Sequence, residues 1–144
     1  MPDRRVLPGS FRDPSGFLFL LDSVLYRQIN QSYFPTYDQL ISSGLYKALT
    51  EAGLLIRHEE ASIGPTSDAA PCRFIRPERV PFISYPHEWC FSQLKDAALL
   101  TLQIQEHALQ HGMTLKDSSA YNVQFLNGRP VLIDTLSFER YEEG

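Results

Sequence analysis

Between His87 and His111 the apolar residues recur along two adjacent helical rows, closed by Gly112. Cys90, Leu94, Ala97, Thr101, Ile104 and Ala108 step by fours and threes, and Phe91, Ala98, Leu102 and Leu109 run beside them. An apolar face this wide predicts a long helix buried against more than one neighbour. The residues after the helix carry clear signals too. Leu115 to Tyr121 reads as a loop, and Val123 to Leu126 and Pro130 to Ile133 read as strands of a hairpin. The turn between them is Asn127-Gly128, the strongest short hairpin signal. Leu136, Phe138 and Tyr141 then lead into Glu142-Glu143-Gly144. The expectation is an apolar patch left open around the long helix and this last hairpin.

The first half is built from shorter pieces. The segment through Gly16 is rich in Pro, Gly, Arg and Asp and reads as loop, with a turn at Asp13-Pro14-Ser15-Gly16. Phe17 to Leu21 and Val24 to Ile29 are aromatic and β-branched runs around Asp22-Ser23, which predicts a hairpin of open register. From Thr36, apolar residues at helical spacing (Leu40, Ile41, Leu45, Ala48, Leu49, Ala52) predict one helix stopped by Gly53. Leu54 to His58, Arg73 to Arg76 and Val80 to Tyr85 read as short strands, with Ala61 to Pro71 a loop of small residues. Pro77 and Pro81 confine the later pieces to strand ends or sheet edges.

With 144 residues and 43% hydrophobic content, the chain can bury one core, so a single domain over 1–144 is expected. Its parts would be a small first part (1–85) and a second (86–144). A net charge of −4 argues against nucleic acid, whose phosphates call for clustered Lys and Arg. Phe17 to Leu21 is stopped by Asp22, far short of the ~20 residues of a membrane helix. No apolar run follows the basic N-terminus, so no signal peptide is expected. Cys72 and Cys90 form no C-x-x-C pair, and two free thiols in a reducing cytoplasm are the simplest reading.

The residues that carry chemistry are Asp117, Asn122 and Asp134: an acid, an amide five residues on, then a hairpin ending in a second acid. Phosphoryl transfer uses such parts. One carboxylate orients the attacking hydroxyl, while an amide oxygen and a second carboxylate hold the metal on the phosphates. Capped turns rich in Asp and Asn give the same letters without chemistry. His107 and His111 are an i,i+4 pair that could ligate zinc, but a solvated helix end accounts for them better. Ser118-Ser119 has no partnered His and Asp motif.

The segment Asp117 to Asn122, with Ile133-Asp134, resembles the catalytic loop and metal-binding strand of the protein-kinase-like superfamily, including aminoglycoside phosphotransferases. The resemblance implies Asp117 as catalytic base and Asn122 and Asp134 as metal ligands. Leu115 stands in place of the usual His, and Thr135-Leu136 in place of Phe-Gly. No G-x-G-x-x-G is present, and no lysine lies in a strand before residue 80. Arg27, with Glu51 as partner, and Lys116 are the candidate cofactor-binding cations. With those parts missing, weak or absent Mg-ATP affinity is expected.

A second resemblance covers nearly the whole chain. Phe11 to Gly16, Tyr26-Arg27-Gln28, Ser43 to Tyr46, Ile83 to Trp89 and Ile133 to Glu139 resemble the N-terminal region of certain bacterial S-adenosylmethionine-dependent methyltransferases, some called nodulation-protein-like. These are much longer. The resemblance implies a partner, the downstream methyltransferase domain, in which S-adenosylmethionine would bind. No glycine-rich turn opening a helix and followed by an acidic ribose binder is visible here.

Together these give an α+β expectation: a partial protein-kinase-like fold with a small N-terminal antiparallel sheet and a helix, then the long helix, the catalytic-type loop and a β-hairpin. The expected function is an accessory, substrate-handling region of a methyltransferase polypeptide, not catalytically complete alone. A small-molecule phosphotransferase using Mg-ATP and a structural interaction module are the alternatives.

Overall fold

The structure, a computed structural model, describes residues 4–6, 14–63, 72–117 and 119–143. The N-terminal turn at Asp13, most of the 61–71 loop and Ser118 lie wholly or partly outside these residues. The chain is mixed α and β and forms two compact units, Met1–Pro35 with Arg57–Arg79, and Thr36–Ile56 with Val80–Gly144. Residues 36–56, assigned from the sequence to the small first part, thus pack with the second unit.

The first unit is a five-stranded antiparallel sheet. Its strands are β1 (Arg4–Val6), β2 (Leu18–Leu21), β3 (Val24–Asn30), β4 (His58–Ala61) and β5 (Cys72–Pro77), in the order β1-β2-β3-β5-β4. Asp22 and Ser23 both take positive φ, 50° and 66°. That twist matches a two-residue hairpin loop and sets the register left open by sequence, Leu21 opposite Val24 and Phe19 opposite Tyr26. Phe19 is fully buried, stacked on Tyr26 at 5.7 Å and edge-on to Phe74 at 5.8 Å. Cross-strand aromatic pairs of this kind hold a sheet face together. Arg76 and Glu59 form an ion pair across β5 and β4. The expected N-terminal loop is corrected at Arg4–Val6, which pairs with β2.

His58, at the start of β4, is half-buried, and desolvation pushes its pKa below 6.5, with Glu60 opposing the shift. The fold therefore favours the neutral ring. Above 6.5 both folded and unfolded chains carry it neutral, and the full stability is present. As pH falls from 6.5 toward the lowered folded value, the unfolded chain alone takes the proton and stability drops. Urea midpoints followed between pH 7.5 and 5 should decline, and His58→Gln should flatten the slope.

Among the described residues the second unit carries the helices α1 (Phe34–Ser42, which begins two residues before the unit), α2 (Leu45–Glu51) and α3 (Phe91–Gln110). The single helix expected over 36–52 is corrected to two, because Gly44 takes φ +85° and the Ser43 hydroxyl accepts from Leu45 N–H. Four more strands follow: β6 (Met113–Leu115), β7 (Val123–Leu126), β8 (Arg129–Leu132) and β9 (Phe138–Arg140). β7 and β8 form the Asn127-Gly128 hairpin, both turn residues at positive φ, and β6 pairs with β9. Leu40, Leu45, Leu49, Trp89, Leu100, Ile104, Met113, Val123, Leu132 and Phe138 form one core.

Two short strands expected from the sequence do not form as such. Leu54 to His58 contributes one bridge, Leu55 to Leu132, flanked by main-chain bonds of 2.9 Å from Ile56 and to Leu54. Val80 to Tyr85 is irregular, because the main chain of Ser84 is taken by a side chain instead of a ladder. The Gln124 carboxamide accepts from Ser84 N–H at 2.9 Å and donates to Ser84 C=O at 3.0 Å.

α3 buries its first row only in part and leaves the second open. Of the first row Ala97, Ile104 and Ala108 are buried while Cys90 and Leu94 are exposed; Leu100, outside both rows, is buried too, and Phe91, Ala98, Leu102 and Leu109 are exposed. The expected open patch past the last hairpin is corrected in part, since Leu136 and Phe138 are fully buried while Tyr141 stays exposed. Apolar exposure remains on the helix.

Candidate functional site

α3 sets the site's position through Gln105. Its Nε2 donates to the Thr114 hydroxyl at 2.7 Å, and its Oε1 accepts from Leu115 N–H at 2.9 Å. Both bonds fix β6 to the helix at the residue where the loop begins. In the sequence Gln105 is only a gap in the apolar rows, and that polar interruption is the one signal it offers.

The loop then closes on the segment after β8 at both ends. Lys116 N–H donates to Ser137 C=O at 2.8 Å, and Ile133 N–H donates to Asn122 C=O at 2.8 Å. These two bonds bracket the whole arrangement. Asp117 lies one residue inside the first, Asn122 forms the second, and Asp134 follows Ile133. The main chains of all three expected site residues, and of Lys116, are thereby brought to one stretch of the second unit.

Local side-chain bonds shape each turn. The Asp117 carboxylate, exposed, accepts from Ser119 N–H at 2.9 Å. The Ser119 hydroxyl accepts from Tyr121 N–H at 3.2 Å. Asp134, half-buried, accepts from Leu136 N–H at 3.0 Å. Asp and Ser favour such turns because their oxygens reach the backbone two residues on. Arg27 is buried in β3 of the first unit, and Glu51, its expected partner, forms an i,i+4 pair with Lys47 at 4.0 Å.

Two polar atoms in the bracket stand out. Asn122 Nδ2 and Ser137 Oγ are buried without a hydrogen-bond partner. A buried unsatisfied group costs roughly 1–3 kcal/mol, so its presence needs a reason. A carboxamide exchanges N–H and C=O by a half-turn, so this position presents either a donor to an anion or an acceptor to a cation. Asn122 and Asp134 therefore fit a metal-bound phosphate in donor type. Among the described residues no group of three His, Cys, Asp or Glu is placed to hold a metal. Ser137 carries no distinguishing pattern in the sequence, and nothing there marks it. His111 Nδ1 bonds the His107 carbonyl at 2.7 Å, so that nitrogen must donate and is not open to zinc.

A separate reactive group sits at the start of α3. Cys90 is exposed, and its thiol pKa is lowered, first by the Ser92 hydroxyl at 3.2 Å and then by the Gln93 main chain. A lowered pKa raises the thiolate fraction at neutral pH, and the thiolate is the nucleophile. Iodoacetamide at pH 7 should modify Cys90 before the half-buried Cys72. Ser92→Ala should slow Cys90 severalfold, read by mass spectrometry. Equal rates at both thiols would contradict this.

No protein-family model matches the chain. A curated bacterial protein does. The chain is similar to a nodulation protein. Nodulation protein NoeA of Rhizobium meliloti (strain 1021) is 35% identical over 138 residues, 94% of this chain. The chain spans 29% of that protein's length. Among the described residues no helix is long and apolar enough to cross a membrane.

Proposed function

We propose that this chain serves as the accessory, substrate-handling region of a longer S-adenosylmethionine-dependent methyltransferase polypeptide, built on a kinase-like scaffold. The observation that carries the reading is the match itself, nearly the whole chain against 29% of NoeA. The order helix, strand, bracketed loop, hairpin, strand supports a kinase-like origin. The Asp117 carboxylate accepts from Ser119 N–H of its own loop, a turn bond that a scaffold role by itself accounts for. S-adenosylmethionine would then bind in the remainder of the polypeptide. Calorimetry should find it bound by the NoeA remainder and not by residues 1–144. Stoichiometric binding by residues 1–144 would overturn the proposal.

One observation favours the second reading, a small-molecule phosphotransferase: the unpartnered buried carboxamide nitrogen of Asn122 beside Asp134. In that case Asn122 and Asp134 would hold the magnesium of Mg-ATP, with Lys116 of the same unit as a candidate cation for its phosphates. The missing glycine loop and strand lysine remove charge-assisted contacts worth roughly 1.5–3 kcal/mol each. Titration of Mg-ATP into the chain should therefore show weak or no binding. Micromolar, magnesium-dependent binding that Asp134→Asn abolishes would decide for the phosphotransferase. A pure interaction module would be indifferent to Asp134→Asn in both binding and stability.

A further inference from the structure

Phe91, Leu94, Ala98, Leu102 and Leu109 lie within an arc of about 80° on α3, at 100° per residue. Phe91 is 82% exposed, Leu102 66%, Leu109 45% and Leu94 44%. The arc adjoins the row that the core covers and is interrupted once, between Leu102 and Leu109, by Gln105, whose carboxamide is bonded to β6. A 20-residue helix with an open row of this kind is an incomplete packing unit.

We propose that the open row of α3 is the docking face for the remainder of the longer polypeptide, which seats an apolar helix along Phe91, Leu94, Leu102 and Leu109. Size selects the occupant. Four large side chains at these exposures offer on the order of 400 Å² of apolar surface. Patches of that size on a monomer are commonly functional. A free partner or a second copy needs about 800 Å² per side for a stable complex. A covalently joined partner does not, because the tether supplies an effective concentration in the millimolar range. The row's composition agrees. Its residues are apolar at three-, four- and seven-residue steps, which matches the anchors of a helix laid along a helix.

The test uses a NoeA chimera in which residues 1–144 replace the matched segment, with Cys72 and Cys90 changed to serine. Leu102→Cys reports on the open row. Gln103→Cys, also exposed and lining the groove with Ala52 and Leu54, is the control. Maleimide should label position 102 about tenfold or more slowly in the chimera than in residues 1–144 alone, with position 103 unchanged. Equal rates at 102 in the two proteins overturn the proposal. Concentration-dependent protection in residues 1–144 alone assigns the face to a second copy and overturns it too. If circular dichroism shows the chimera unfolded, the same labelling is run on residues 1–144 mixed with the NoeA remainder at millimolar concentration. S-adenosylmethionine binding by the chimera, measured in parallel, separates failure of the face from failure of the methyltransferase reading.

Discussion

Gly16→Ala should destabilise the first unit by about 3 kcal/mol or more, among the largest effects of any single methyl group in this chain. A Cβ at position 16 would stand 1.8 Å from the Gln28 carbonyl oxygen and 2.8 Å from its carbon. Neither atom can yield cheaply. Gln28 lies in β3, and its N–H donates to Phe17 C=O at 2.8 Å, while Asn30 N–H donates to Ser15 C=O at 2.8 Å. These two bonds press residues 15–17 onto the strand from either side of the glycine. The backbone adds to the cost, with φ at +152°, a region L side chains rarely adopt. Gly53→Ala is the control, because its φ is +74° and nothing lies within 4 Å of the added atom. That change should cost only the left-handed penalty of about 1–2 kcal/mol. Urea unfolding of both variants, followed by far-ultraviolet circular dichroism, separates the two contributions. Equal midpoints would mean that the close approach of Gly16 to β3 does not exist in solution.

Features governed by local chemistry were legible in the sequence. Both two-residue hairpins were, because Asp22-Ser23 and Asn127-Gly128 tolerate the positive φ their turns require. So was α3, by its period and by Gly112, which takes φ +76°. Features that depend on partners far along the chain were not. Gly44 looked like an ordinary member of a helical run, and only the left-handed turn it adopts divides α1 from α2. β6 and β9 are three residues each, too short for alternation to register, and they form because each is the other's partner. Burial of Leu136 and Phe138 likewise follows from that pairing. The three candidate residues stand in the sequence as letters and spacing. The bracket that gathers them was not legible, since it is made of main-chain bonds between Lys116 and Ser137 and between Asn122 and Ile133, which any side chains could have allowed. The open row of α3 was half legible: its width announced a missing neighbour, but which row stays open depends on the core.

Gln124→Leu should cost the second unit about 2–4 kcal/mol and should be visible at one fluorophore. The side chain is 4% exposed, and its carboxamide meets both main-chain groups of Ser84, accepting at 2.9 Å and donating at 3.0 Å. Leucine has similar bulk and no polar atoms. The loss is therefore that of the two hydrogen bonds, plus the cost of leaving the Ser84 N–H and C=O without partners on that side. The effect then reaches Trp89, the chain's single tryptophan. Its indole N–H donates to the Ser84 hydroxyl at 2.9 Å, and its ring meets Phe125 edge-on at 5.1 Å. Freed from Gln124, Ser84 no longer holds the indole, and water gains access to a ring that is 7% exposed. Emission should shift to the red in the folded protein, before any denaturant is added. Ser84→Ala separates the steps, because it removes the indole's acceptor while leaving both main-chain bonds to Gln124. It should shift the emission at a cost of only about 1 kcal/mol. A Gln124→Leu protein with wild-type emission and an unchanged urea midpoint would show that the carboxamide does not anchor the 80–89 segment.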